Sequence, residues 1–418
     1  MTPLACGHDA PAGPRRMCRH LIDNPGLAPV RVLTGHRMDY DLSCEVCASG
    51  TPVTLTTVCQ PCFDLRDDGY FLAWRGEPGI VDRPEPVGAV TDSPLPAGLG
   101  PILDFAALPS VGGESRWLLL TESGWLVRFD ATAARPDECA VVREHGVAVE
   151  EEKARLRLHV SADGRFAAVA NDFGRYGAVL DLDTGETTLS LDGGDYHPEQ
   201  VPFSVAFAVH AGRTVVVHRT AWNRLDVSDA QTGALLTART TDDSLGYFHG
   251  ALYVSPNGRW IADDGWVWHP VGSPSVWDLR AWLGGNVGES EDGPSLRSLT
   301  SRDYYWNAPM CWIGDDLLAV SGIGPDDVSM LAGVQIFDAA SGTGQHTFAG
   351  PRSALFASGG RLFAVAPDGL EIWDPTTGDR TGRIPGFSPS RRHPGTAELA
   401  EIRDGVLRRW PSLLRQRS

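Results

Sequence analysis

The apolar positions of this chain fall in short runs set between turn residues, not in the three-to-four spacing of an amphipathic helix. Four runs, AVLDL, RLDVS, VQIF and LEIW, lead into the same tight turn, Asp-x-x-(Ser/Thr)-Gly. The turns are Asp181 to Gly185, Asp229 to Gly233, Asp338 to Gly342 and Asp374 to Gly378. Three more runs fit without the full turn: WLVRFDATA at 125–133, PSVWDLRAW at 274–282 and VLRRWP at 406–411. A second marker is a glycine followed by arginine, at Gly164-Arg165, Gly212-Arg213, Gly258-Arg259 and Gly360-Arg361. Each opens an apolar strand: RFAAVA, RTVVVH, RWIAD or RLFAVA. Asp-Gly and Asn-Gly suit tight hairpins because the turn needs positive φ. The unit therefore reads strand, Gly turn, strand, loop, strand, Asp turn, strand. That is a four-stranded antiparallel blade.

Repetition of such a unit predicts an all-β fold, a β-propeller. Third strands centred near 130, 181, 229, 278, 338, 374 and 410 give seven blades, with six or eight as the alternatives. The last blade has no fourth strand of its own before the chain ends. The strand-like piece YFLAWRGEPGIV at 70–81 is expected to complete it, since closure removes exposed sheet edges. The expected organisation is a cysteine-rich module at 1–66, a Pro/Gly-rich connector at 67–100 holding the closing strand, a propeller at 101–411 and a basic tail at 412–418.

The Asp-x-x-(Ser/Thr)-Gly turns and the pairs Trp277-Asp278 and Trp373-Asp374 resemble WD40 and YVTN-type propellers over about three quarters of the chain. The Gly-His part of the WD40 signature is missing. The resemblance implies a binding platform more often than an enzyme.

Charge narrows the partners. With 36 basic and 53 acidic residues the net charge is −17, which argues against general affinity for nucleic acid or anionic lipid. Lys153 is the only lysine and lies in the solvated run EEEKAR. A phosphate-loop lysine, a kinase lysine or a Schiff-base lysine would have to be this one, so those classes are disfavoured. No run of about 18 apolar residues exists to span a membrane, and the first residues lack the apolar stretch of a secretory signal. The expected location is the cytoplasm.

The cysteine-rich module presents eight paired ligands: Cys6-x-His8, Cys18-x-His20, Cys44-x-x-Cys47 and Cys59-x-x-Cys62. A Cys-x-x-Cys knuckle lets two thiolates grip one tetrahedral metal from a single turn. Eight ligands suit two closed, structural zinc sites, and metal would supply much of the stability of so short a segment. Disulfides are the competing reading and are disfavoured in the cytoplasm. Spacing leaves the partition open between sequential and interleaved sites. Cys18-Arg-His20-Leu with the two knuckles also looks similar to the start of ubiquitin-hydrolase-type zinc fingers, whose later ligands have no counterpart here. Cys139 and Cys311 read as core thiols.

On the propeller, three connections share aromatic, acidic and imidazole residues: Asp195-Tyr196-His197, Tyr247-Phe248-His249 and Asp303-Tyr304-Tyr305-Trp306. By analogy with propellers they should share the rim around the channel, with His197, His249 and Tyr304 side by side. Such a set suits a peptide or a small polar ligand. Of the seven Trp between 260 and 312, Trp282 and Trp306 flank a polar insertion at 284–303 and are the surface candidates. Asp263-Asp264 and Asp326-Asp327 read as solvated turn acids. Gly-x-Ser-x-Gly, His-Glu-x-x-His and Gly-x-Gly-x-x-Gly are all absent. The leading expectation is a non-catalytic scaffold for protein partners. A propeller hydrolase or lactonase, with its site at the channel mouth, is the alternative.

Overall fold

The computed structural model describes residues 12–34, 39–50, 53–67, 72–74, 80, 88–110, 112–133, 140–144, 147, 155–239, 246–351 and 353–412. Seven antiparallel sheets follow one another along the chain. Blade 1 spans 102–144, blade 2 155–192, blade 3 205–229, blade 4 247–303, blade 5 310–349 and blade 6 355–385. Blade 7 joins strands 391–393, 398–403 and 406–411 to a fourth strand from before blade 1. The expected third strands are all present, from Trp125–Asp130 in blade 1 to Val406–Pro411 in blade 7.

Alternation along each strand sends one set of side chains to each neighbouring blade. Leu118 and Leu120 of blade 1 meet Leu158 and Val169 of blade 2. Phe166 and Ala168 on the other face of blade 2 meet Val205 and Val216 of blade 3. Apolar clusters of the same kind join blades 3 and 4, 4 and 5, 5 and 6, and 6 and 7. A last one, with Phe105 and Trp117 against Ala400 and Leu407, joins blade 7 to blade 1 and closes the ring.

The two sequence markers of the repeat prove to be halves of one contact. In blade 2 the arginine after the glycine turn, Arg165, donates twice to Asp181 at 3.0 and 2.9 Å. The same carboxylate accepts the backbone N–H groups of Asp183 and Thr184, which shapes the turn. Arg213 and Asp229 of blade 3, and Arg361 and Asp374 of blade 6, repeat the pair at 3.5 and 3.6 Å. In blade 4 Arg259 meets Asp278 at 2.9 Å. Asp278 has no x-x-Thr-Gly behind it, and instead caps the helix Leu279–Leu283 through the N–H groups of Arg280 and Ala281.

Closure departs from expectation. The fourth strand of blade 7 is Thr91–Pro94, with Ser93 opposite Leu407 and Pro94 opposite Val406. Of the described part of the expected piece, Leu72–Trp74 pairs parallel with the cysteine-rich module, and Ile80 makes an isolated parallel bridge to Arg380 of blade 6. Blade 3 is also lighter than predicted: among the described residues its fourth position holds only an isolated bridge between Ser228 and Leu235. Blade 4 is heavier, because part of the polar insertion folds back as strands 297–298 and 302–303.

The module is a five-stranded sheet. Its elements are β1 (Ala12–Cys18), α1 (Arg19–Asp23), β2 (Pro29–Leu33), β3 (Tyr40–Cys44), α2 (Glu45–Ser49), β4 (Leu55–Cys59), α3 (Gln60–Asp64) and β5 (Leu72–Trp74), in sheet order β4-β1-β3-β2-β5. Met17, Leu21, Leu42, Val58 and Phe63 form its core. It touches the propeller through Trp74, whose indole N–H donates to the Ala332 carbonyl at 3.1 Å. Among the described residues no helix is long and apolar enough to cross a membrane.

Candidate metal centre and propeller face

Three strands of the module, β1, β3 and β4, end on a cysteine that opens a short helix: Cys18, Cys44 and Cys59. β1 and β3 run parallel as neighbours, with Met17 opposite Leu42. Their last residues therefore lie side by side, and the Cys44 N–H points at Cys18 Sγ from 3.2 Å. The first turns of α1 and α2 then carry His20 and Cys47 to the same place. His20 Nδ1 is 3.2 Å from Cys47 Sγ and 3.7 Å from Cys44 Sγ. Ligand atoms of Cys18, His20, Cys44 and Cys47 all lie within 4.8 Å of one another, an arrangement that could hold a metal ion. Zn–S bonds of about 2.3 Å at tetrahedral angles put ligand atoms roughly 3.5–3.8 Å apart, so the donor set and spacing fit a closed Cys3His site. Cys18 and Cys44 are buried while His20 is exposed, which puts the site at the module's surface.

β4 runs antiparallel to β1, with Cys59 opposite Ala12. Cys18 faces Leu55, so Cys59, at the other end of β4, is displaced from it by four residues, about 13 Å along the strand at 3.3 Å per residue. The second knuckle cannot join the first site. Cys6 and His8, also expected as ligands, lie outside the described residues, as does Cys139. No disulfide joins the described cysteines. Beside the Cys3His cluster an apolar cleft opens, lined by Leu27, Val30, Val46 and Leu72.

On the propeller, the nine rim residues separate into three groups. Asp195, Tyr196, His197, Asp303 and Tyr304 are exposed, on the connections between blades 2 and 3 and between blades 4 and 5. Tyr305 and Trp306 are half-buried: Tyr305 lies beside the buried Arg302, and Trp306 donates to the Gln200 carbonyl at 3.2 Å. Tyr247 and His249 are not on the rim. They belong to the first strand of blade 4, 9% and 1% exposed. His249 Nδ1 meets Asp263 at 2.5 Å, and the Tyr247 hydroxyl donates to the Ser273 carbonyl and accepts the Gly265 N–H. A Cβ on Gly265 would fall 2.3 Å from the Tyr247 ring, so only glycine lets these strands close over it. His249, expected beside His197 and Tyr304, is therefore a core residue.

The acids Asp263 and Asp264 are a second correction. They sit within the strand Trp260–Val267, buried, not in a solvated turn. Burial first, then the neighbouring Asp263, pushes the Asp264 carboxyl up to about 8, against Arg302. Trp282 is likewise fully buried, its indole N–H donating to the Val287 carbonyl. The insertion around it is stapled by Glu289, 0% exposed, which accepts from Ser295 and Asn286.

A larger aromatic cluster organises the rim. Phe248 stacks on Trp266 at 4.3 Å, and Trp266 on Trp306 at 5.0 Å. Trp268 stands edge-on to Phe248 and to Trp266. Tyr196 and Trp222 cover the other side of Phe248. The sequence signal for the missed members was aromatics at hairpin turns, Trp222 before Asn223 and Trp268 before His269. The connections that carry the cluster are strained: Phe173, His197, His269, Tyr304 and Asn307 all have positive φ. Non-glycine residues pay roughly 1–2 kcal/mol each for this, and such strain tends to collect at functional sites.

The inner strands of blades 7, 1 and 2 bring charge to the channel. Arg391 holds Asp104 and donates to the Phe105 carbonyl at 2.8 Å. Arg157 lies 3.9 Å from Asp104 and 3.1 Å from Asp172. Burial, then Arg157, pushes the nearby His159 down to about 4. Burial raises Asp172 to about 6 despite Arg157. Asp104 and Asp172 are thus both held by guanidinium. Among the described residues the only convergent set of three or more His, Cys, Asp or Glu ligand atoms is the one in the module.

No protein-family model matches the sequence, and no curated protein matches it. Among solved structures, a chain of the crystal structure of the mitotic checkpoint complex aligns with 81% of this chain and 95% of its own length, at 15% identity and a TM-score of 0.47. The seven-bladed assignment rests on the strand pairings of this chain itself.

Proposed function

We propose that this protein is a non-catalytic scaffold: a propeller that binds protein partners through its aromatic rim, carrying a module held by structural zinc. The observation that carries the reading is the exposed, strained aromatic cluster spanning the connections around blades 3 and 4. Large rigid aromatics at a surface are the residues that anchor protein interfaces. A channel-mouth hydrolase needs an acid or base free to act, and Asp104 and Asp172 are instead tied to arginine. Purifying partners with the intact protein, then with a Tyr196→Ala/Trp268→Ala variant, tests this. Partners should be lost from the variant, and an unchanged partner set would refute the rim.

For the module, Cys18, His20, Cys44 and Cys47 would hold one zinc ion. A second would use Cys59 and Cys62 with Cys6 and His8. The support for this partition is the register of β1. Cys59 faces Ala12, and His8 and Cys6 lie only four and six residues before Ala12. Both ions would be structural, closing sites with no open coordination position. Elemental analysis of protein purified without added metal should give two Zn per chain. One Zn would refute the second site, and well below one would refute both.

A further inference from the structure

A seam in the module's sheet divides the four candidate ligands. On one side β1 and β4 pair antiparallel, and on the other β3, β2 and β5 follow one another. Among the described strands the two sides join through β1 and β3 alone, in a short parallel contact at Met17 and Leu42. Cys18 and His20 come from the β1 side, Cys44 and Cys47 from the β3 side. Two donors from each side meet within 4.8 Å, so an ion held there would staple the seam. The β3 side is also the one fastened to the propeller, through β5 and the Trp74 indole on the Ala332 carbonyl. Besides the ion, the seam is crossed by the module core and by Arg16, which donates to both oxygens of Asp41 at 2.9 Å.

The two donors of the β3 side are placed to leave together. Cys44 is the N-cap of α2 and Cys47 lies in its first turn. Dithiol oxidoreductases close and reopen a disulfide from this same Cys-x-x-Cys placement. Access separates the three sulfurs. Cys18 and Cys44 are buried, whereas Cys47 is half-buried and the His20 ring beside it is exposed. A small oxidant arriving from solvent therefore meets Cys47 first. As a metal ligand that sulfur is a thiolate, the form an oxidant attacks.

Building on the structural-zinc reading, we propose that this site is a switch through which hydrogen peroxide unstaples the seam. The Cys47 thiolate attacks the O–O bond and becomes a sulfenic acid, and the departing hydroxide takes a proton from solvent to leave as water. The Cys44 thiolate then attacks the Cys47 sulfur, forms the disulfide and expels hydroxide, which a second proton turns to water. Two thiolates have given up two electrons, and the peroxide has become two waters. Cys18 and His20 alone are too few donors to hold the ion, and Cys18 takes up a proton as it is lost. The new bond lies wholly within the β3 side, so the seam loses its cross-link. A disulfide from Cys18 to Cys44 or Cys47 would have kept it.

The test uses the intact wild-type protein, its zinc content measured first. Hydrogen peroxide is added in small molar excess beside a chromophoric chelator too weak to strip the reduced protein. One zinc ion should be lost for each disulfide that peptide mass spectrometry places between Cys44 and Cys47. A dithiol reductant with added zinc should reverse both. Hydrogen exchange should quicken several-fold in β1 and β4 and hold in β2 and β3, because the core and the Arg16–Asp41 pair keep the module folded. Zinc release with Cys44 and Cys47 still reduced would overturn the proposal, as would a disulfide to Cys18 or unchanged exchange in β1 and β4. If the protein holds zinc and keeps all of it under peroxide, the switch is wrong and the structural site stands. If it is purified without zinc, both readings fall.

Discussion

Replacing Asp181 by Asn keeps the turn and removes the ion pair, and replacing it by Ala removes both. The loss in the Asn variant measures what joins the two repeat markers, and the further loss in the Ala variant measures the turn. The Asp181 side chain is 5% exposed and Arg165 38%. One oxygen accepts two backbone N–H groups at 2.9 and 3.2 Å, and the other accepts Arg165 at 3.0 and 2.9 Å. In the Asn variant the amide carbonyl still serves the turn, while its NH2 faces a guanidinium. Two charge-assisted bonds are lost, partly screened by water, for about 1–1.5 kcal/mol. The Ala variant also frees the turn donors, as loss of a helix cap does, adding about 1 kcal/mol. Arg165 lies over the Phe166 ring at 4.9 Å, so Arg165→Ala costs some packing beyond the pair. A double-mutant cycle removes that contribution and should return a coupling of about 1 kcal/mol. In blade 3, Arg213 is 63% exposed and 3.5 Å from Asp229, and its coupling should stay below about 0.5 kcal/mol. Equilibrium urea unfolding at unchanged m-value is the assay. Equal couplings in the two blades, or none in blade 2, would refute the account. The pH dependence has a definite sign. Burial raises the Asp181 carboxyl, but the N–H groups of Asp183 and Thr184 and then Arg165 outweigh it, so its pKa is lowered overall. A lowered pKa contributes stability that is present above the unfolded value of about 3.9 and fades as pH falls through the folded one. The coupling should therefore shrink between pH 7 and pH 3.

Further outcomes follow from other sites. Asp264, raised to about 8, keeps its proton in the folded state where the unfolded chain has released it, so wild-type stability falls as pH rises from about 4 to 8. Asp264→Asn should therefore raise the melting temperature more at pH 8 than at pH 5, and an equal gain at both would contradict this. Glu289→Ala leaves Ser295 and Asn286 without their buried acceptor and should cost about 2–3 kcal/mol by urea unfolding. Cys44→Ser should collapse protease resistance of the module while the propeller stays protected, because its closure uses Thr91–Pro94 and not the module's sheet. Deleting residues 1–86 should leave a soluble chain, whereas deleting 1–95 bares the edge of Val406–Pro411 and should aggregate by light scattering.

The repeat was legible because every blade reuses the same turns, and turns depend on residues close in sequence. Asp181, Asp229, Asp338 and Asp374 announce their own geometry through the residues two and three ahead. The closing strand was not legible for the opposite reason. Thr91–Pro94 buries only Ser93, so it has almost no apolar pattern to read. Its place comes from pairing with residues more than 300 positions away. The more apolar Leu72–Trp74 drew the expectation and proved to be an edge of another sheet. Asp263 and Asp264 misled because a charged pair reads as solvent-facing, while the strand from Trp260 runs on through them into the core.

The candidate metal ligands show the same division. The pairs Cys18-x-His20 and Cys44-x-x-Cys47, which the fold brings together, were visible because each is a local device. Which pairs share a centre was not, because that depends on strand direction: β1 parallel to β3 brings Cys18 beside Cys44, and β1 antiparallel to β4 carries Cys59 to the far end. The rim follows suit. Linear triplets found Tyr196, His197 and Tyr304 but also took Tyr247 and His249, which the first strand of blade 4 turns inward. Phe248, between them, is the floor on which Trp222, Trp266 and Trp268 assemble from two hairpins and a neighbouring strand. A binding face on a propeller is made of one or two residues from each of several connections. Its chemistry becomes readable only when the blades set those connections side by side.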